Sequence, residues 1–412
     1  MKIGLLTYHA ALNFGANLQA LSTYNFLLHA GHSPIIINWF PYELEEEYNR
    51  SCPSIQADAH IAYRNTYFNL TKRCCTDKEV AEIIEMEKIE AIIIGSDAVL
   101  QHHPKLSRLV FPSRKIISFD SVTCDRMFPN PFWCSFMSYI KRELPIAYMS
   151  VSSQNSPYTL FSNKEFHSMK RSIECVGFCT TRDDWTAKMI SKISDNRLSP
   201  TITPDPVFAF NQNVKSQLTQ EEVMKKYNLP KQYFLFSFHN SKTVSYHWLE
   251  EFQKIANRHE FECVAFPFPN GVNFAHPFHK AIKLPLSPLD WYSLIKYSSG
   301  YIGHNMHPIV VSLHNAVPCY SFDNYGIVKF RIFVNKKSSK IYHIMKKFGV
   351  LDNHVNTSGL WWKRPTPSDV FDKICNFDKE GVAMHSKDYL ESYNIMMDNI
   401  LNYFQVKAKT HI

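Results

Sequence analysis

None of the ten cysteines in this chain is spaced C-x-x-C from another. That absence argues against a structural zinc site and against a thioredoxin-like redox motif. Ten thiols without a framework read as free-thiol usage in a reducing compartment. No run of eighteen apolar residues occurs, so no spanning helix is expected. The apolar start, residues 1–6, breaks at Thr7, Tyr8 and His9 and reads as a buried first strand, not as a signal peptide. Internal repeats and low-complexity tracts are lacking. A G-x-G-x-x-G element is lacking too, which sets aside the usual dinucleotide fold. So is a dense basic stripe: 45 Lys and Arg stand against 37 Asp and Glu, and the net charge of +8 is diffuse. This argues against nucleic acid and suits an anionic substrate or a peripheral contact with an anionic membrane face. The strongest local cluster, Lys336, Lys337, Lys340, Lys346 and Lys347, reads as a solvated helix face, with a phosphate or membrane contact as the alternative.

What is present is an ordinary folded composition, 45% hydrophobic and 20% charged. A chain of 412 residues is long for one core and predicts two or three domains. Short apolar runs at 2–7, 34–38, 91–95, 146–150 and 177–181 alternate with amphipathic stretches at 17–30, 77–87, 161–173 and 184–193. Such alternation implies βαβ units and a mainly parallel, doubly wound sheet. Pro204, Asp205 and Pro206 break the pattern, and a polar stretch at 211–222 follows. The pattern restarts with strands at 233–238, 262–266, 300–303 and 317–322 and helices at 246–258, 288–297 and 308–314. The expectation is two Rossmann-like α/β domains, residues 1–212 and 230–380, with a central cleft. An amphipathic helix at 385–405 would return to the first domain.

Several positions carry chemistry. The first βα turn holds Asn13 and Gly15 before a helix, either a structural turn or an anion cradle at a helix N-terminus. Ser96 and Asp97 end a strand, and Asp97 either orients or deprotonates a hydroxyl or caps the next element. Arg182, at another strand end, suits a carboxylate or phosphate, with a salt bridge to Asp183 as the alternative. His239 and Lys242 follow the first strand of the second domain and either meet a phosphate or form a polar turn. The pairs His304/His307 and His276/His279 share H-x-x-H spacing, but no carboxylate completes a metal site. The aromatic loop 128–133 either stacks on a sugar or packs as a lid, and Trp361 and Trp362 beside Lys363 and Arg364 raise the same question.

Six elements in order resemble the polysaccharide pyruvyl transferase family. Asn13 to Leu21, N-F-G-A-N-L-Q-A-L, is similar to its N-[YF]-G-A-x-L-Q-A opening, and 91–99 to its strand ending in Gly-Ser-Asp. Thr181-Arg182-Asp183, the T-P-D-P-V of 203–207, His307 and Ser338-Ser339-Lys340-Ile341 resemble its later elements. The segment Gly303-His304-Asn305-Met306-His307-Pro308 keeps only the histidine of T-D-S-x-H-G, with Asn305 in place of serine. Segment 120–137 looks like an added loop over the cleft.

The resemblance implies a fold like that of the GT-B glycosyltransferases, phosphoenolpyruvate as donor and no metal or other cofactor. It implies a ketal on a sugar or a lipid-linked oligosaccharide as product. The setting would be the cytoplasm, at or near the inner membrane face. Its position and this resemblance together make His307 the expected general acid, and the strand-end Asp97 is the candidate to orient or deprotonate an acceptor hydroxyl. The donor and acceptor would meet Arg182, Asn13, Gly15, Ser96, His239, Lys242 and Asn305. Two rivals share the fold class: a nucleotide-sugar glycosyltransferase, with Asp290 or Asp323 holding a ribose, and a non-catalytic glycan-binding member.

Overall fold

The computed structural model describes residues 1–412 apart from 114–115, 155, 330–332, 336–337, 359–361 and 410–412. Lys336, Lys337 and Trp361 lie outside the described residues.

Two six-stranded, all-parallel sheets organise the chain. The first runs in spatial order Ser33–Ile36, Lys2–Leu6, Ala91–Asp97, Ile146–Val151, Val176–Thr181, Thr201–Ile202. Its central strand, A-I-I-I-G-S-D, is buried along its whole length, as expected of a strand covered on both faces. The second runs Lys280–Ala281, Glu262–Ala265, Tyr233–Ser237, Gly300–Gly303, Cys319–Asp323, His354–Asn356. In each sheet the first strand is an interior one, second from the edge in the first sheet and third in the second. The chain winds outward on one side of it and then on the other. That reversal opens a crevice beyond the carboxyl ends of two neighbouring strands.

The helix Phe14–His29 sits where the domains meet. Every residue from Phe14 to Tyr24 is buried, polar ones included, so it has no solvent face over that length. Phe14 stacks on Trp291 of the second domain at 5.4 Å. Nearby, the Gln56 side chain clamps the Leu286 backbone from both sides: Nε2 donates to the carbonyl at 2.8 Å, and Oε1 accepts from the N–H at 2.7 Å. One apolar cluster accordingly runs from Leu18 and Leu21 through Phe208 and Phe210 to Ile309 and Val310.

The stretch 211–222, polar in sequence, is partly helical. Thr219 and Glu222 form a capping box that starts the helix Gln220–Tyr227. The last helix, Lys379–Lys409, spans both units. Ser386 donates to the His314 carbonyl at 2.9 Å in the second domain. Met396 Sδ then accepts from Ser150 and Thr180 of the first sheet at 3.2 and 3.4 Å. Tyr403 lies so close to Gly177 that any Cβ there would be 2.2 Å from its hydroxyl. No helix among the described residues is long and apolar enough to cross a membrane.

Candidate active site at the domain junction

The two crevices face each other across a cleft of about 340 Å³. The first domain contributes the turn Asn13 to Ala16 and the strand end at Asp97. The second contributes Ser237, Asn305, Met306 and His307, and Lys340 enters from the helix Lys340–Lys347.

Asn13 caps the first helix, its side chain accepting from the Ala16 N–H at 3.2 Å. The start of that helix lines the cleft, so unpaired amides and the positive dipole end favour an anion there. Gly15 is needed for close approach. A Cβ built on it would lie 2.0 Å from His307 Cγ and 2.3 Å from Nδ1. The histidine of the second domain therefore seats directly on the first helix of the other domain.

His307 is 8% exposed. Gln19 Nε2 donates to His307 Nε2 at 2.6 Å and to Asp205 Oδ2 at 2.7 Å, bridging the two. Asp205 Oδ2 itself stands 3.9 Å from His307 Nε2. With Nε2 accepting, neutral His307 carries its proton on Nδ1, which has no hydrogen-bond partner among the described residues. Burial pushes the imidazole pKa below its usual value, aided by Lys340 and Arg182 and opposed by Asp97 and Asp205.

Arg182 does not line the cleft. It is 5% exposed and lies behind the wall, where its guanidinium donates to Asp205 and, at 2.8 Å, to Asp97 Oδ1. Burial lowers its pKa, and the two carboxylates more than restore it. Asp97 is anchored by this arginine and by the Ala98 N–H at 2.7 Å. Burial raises its pKa, but Arg182, His307 and Lys340 outweigh that and hold the carboxyl well below the usual range. So acidic a group is a poor proton acceptor, whatever else it orients. Its φ of 87° is matched by the 74° of Asn305 at the facing strand end. Backbone held in that region at both crevices is what a pre-formed site stores.

The other positions separate clearly. Ser96 is buried and donates to the Ser150 carbonyl at 2.8 Å. His239 is exposed, stacks on Phe268 at 4.4 Å and pairs with Asn305 Oδ1 at 2.8 Å, so it touches the cleft through Asn305. Lys242 is exposed and is not among the residues lining the cleft. His304 is locked neutral: Nδ1 accepts from the His239 N–H at 3.0 Å, and burial brings its pKa to about 3. Phe132 and Trp133 are fully buried, so the aromatic loop packs into the core. Trp362 stacks under Arg364 at 5.6 Å. No three His, Cys, Asp or Glu side chains among the described residues converge as a metal-ligand set.

Sequence pattern alone misses three residues of the junction. Gln19 and Asp205 read as motif letters and a helix breaker, yet they join His307 to Arg182. Lys340 reads as part of a charged face, yet it is half-buried and lines the cleft. Burial pushes its ammonium pKa down, aided by Arg182 and opposed by Asp97, Asp205 and Asp183. Its place in the S-S-K-I element was the available signal.

The fold has relatives among solved structures. The UDP-GlcNAc 2-epimerase from Methanocaldococcus jannaschii is 10% identical, with a TM-score of 0.55, 98% of this chain covered and 100% of that one. That from Neisseria meningitidis, bound to UDP-GlcNAc, is 8% identical, with a TM-score of 0.52 and coverages of 98% and 100%. The S. aureus MnaA–UDP complex is 10% identical, with a TM-score of 0.51 and coverages of 99% and 96%. These likenesses establish a GT-B fold of two parallel-sheet domains. No curated protein matches the sequence. The model of one family, described as polysaccharide pyruvyl transferase, matches residues 13–325. That span begins at the helix cap Asn13 and ends at Tyr325, two residues of the cleft wall, and with the ordered motifs within it the chain belongs to the polysaccharide pyruvyl transferase family.

Proposed function

We propose that the cleft binds phosphoenolpyruvate and transfers its three-carbon unit to two hydroxyls of a sugar, forming a ketal and releasing phosphate. The observation that carries this reading is the seating of His307 on the helix start at Gly15, with Lys340 lining the same cleft. A histidine, an ammonium group and free helix amides make a compact site for a small, highly charged anion.

In this reading His307 gives its Nδ1 proton to the donor methylene carbon. One sugar hydroxyl adds to C2 and loses its proton; the C–O bond to phosphate breaks with its electron pair. The second hydroxyl then closes the ketal and loses its proton. Of the two hydroxyl protons, one restores His307 and the other leaves on phosphate. An anion held beside His307 raises the depressed imidazole pKa and so supplies the charged acid. Charging the ring requires the Gln19 amide to turn its unpartnered Oε1 toward Nε2.

The geometry also favours this donor over a nucleotide sugar. Asp290 is engaged by Lys226 and Tyr227 at 2.5 Å each, and Asp323 accepts from Ser339 at 2.6 Å and meets His354 Nε2 at 2.9 Å. Neither lines the cleft, so neither is placed to hold a ribose.

His307→Gln should keep the fold and lower donor turnover by about 10²-fold, the scale of one lost acid–base group. The assay is phosphate release with phosphoenolpyruvate and acceptor. A folded variant with wild-type turnover would remove His307 from the mechanism.

A further inference from the structure

The loop around residues 124–133 presents one side chain to the cleft whose bonding is incomplete. Asp125 is 3% exposed and lines the cleft. Its Oδ2 accepts from the Tyr8 hydroxyl at 2.9 Å and lies 3.9 Å from Arg126 Nε. Its Oδ1 is buried and has no hydrogen-bond partner among the described residues. A buried carboxylate oxygen left unpaired is unfavourable unless a ligand donor meets it.

This placement is built. Asn130 Nδ2 reaches the carbonyls of Cys124, Asp125 and Met127 at 3.1, 3.1 and 2.9 Å, closing the turn that carries Asp125. Phe132 anchors that turn from below, packing edge-on against Tyr8 at 5.0 Å and Trp39 at 4.9 Å. The wall continues in Tyr48, whose hydroxyl has no partner among the described residues. Arg126 also lines the cleft, 3.9 Å from Asp125, and balances its charge, so this wall carries little net charge, whereas His307 and Lys340 gather at the other end beside Asp97. A metal cation is disfavoured by Arg126. What remains suited to a carboxylate beside tyrosines is a neutral ligand rich in hydroxyls.

We infer that Asp125, with Tyr8 and Tyr48, forms the acceptor subsite, where a sugar hydroxyl donates to the Asp125 carboxylate. The reaction assigned to that sugar rests on the transferase reading above; the binding of a polyol there does not. The test measures saturation transfer and titration with methyl glucopyranoside, galactopyranoside and mannopyranoside, each bearing a free 4,6-diol. Phosphoenolpyruvate binding is read separately by thermal shift. At least one glycoside should bind the wild-type protein. Asp125→Asn, nearly isosteric, should weaken it about tenfold or more, and Tyr8→Phe about threefold, with donor stabilisation kept. Equal glycoside binding by Asp125→Asn and wild type, or no binding of any of the three to wild type, overturns the inference. If glycosides bind through Asp125 while phosphoenolpyruvate does not bind at all, the donor reading fails and the subsite stands.

Discussion

Gly15→Ala is expected to lower turnover by about 10³-fold while the protein stays folded. Alanine suits a helix better than glycine, so the local backbone gains. The loss comes from across the domain junction. The new methyl would overlap His307 Cγ at 2.0 Å, Nδ1 at 2.3 Å and Cβ at 2.5 Å. The first helix cannot retreat, because Leu18 and Leu21 are fixed in the shared core. The imidazole must therefore leave its seat and lose the Gln19 bridge. A displacement of about 1 Å alone can cost about 10²-fold, and the acid is misplaced as well. Overpacking should cost about 1–3 kcal/mol of stability, visible as a modest drop in the unfolding midpoint. Steady-state rates with a urea melt on the same preparation decide it. Near-normal turnover in folded Gly15→Ala would mean that His307 does not act from where it sits.

The second large effect concerns stability. Arg182→Ala strips the one cation that, among the described residues, is bonded to both Asp97 and Asp205, two buried carboxylates. Removing one partner of a buried ion pair typically costs about 3–5 kcal/mol, because the charge left behind has neither water nor a counterion. Arg182→Lys should recover part of this, since an ammonium cannot reproduce the planar fork that spans two acceptors. The urea midpoint is the measurement. If Arg182→Ala instead melts like wild type and only donor affinity falls, the arginine touches the donor directly, as its strand-end position suggests from sequence.

That contrast shows where sequence stops being readable. The strand run A-I-I-I-G-S-D and the turn N-F-G-A announce themselves, because continuous apolar character and a capped helix start are local properties. Arg182 also stands at a strand end, as its position implies. Its burial depends on Asp97 and Asp205, 85 and 23 residues away, and no local pattern encodes that pairing. The helices Tyr42–Ser51 and Ser54–Tyr67 are hidden for another reason. The first, Y-E-L-E-E-E-Y-N-R-S, buries only Leu44 and so lacks an apolar stripe. Yet it brings Tyr48 to the cleft, and its neighbour brings Gln56 to the domain junction. The loop 128–133 carries aromatics that could serve a sugar or a core equally well; only packing around Phe132 and Trp133 decides for the core.

Whether phosphoenolpyruvate is the donor can be read from ligand-induced stabilisation of the 412-residue chain. Thermal unfolding would be followed with phosphoenolpyruvate, inorganic phosphate, uridine diphosphate and guanosine diphosphate in parallel. A ligand at about 100 times its Kd stabilises the folded state by about 2.7 kcal/mol, a shift well within reach of the method. Tm should rise clearly with phosphoenolpyruvate, less with phosphate and not at all with either nucleotide. A rise with a nucleoside diphosphate and none with phosphoenolpyruvate would contradict the donor reading.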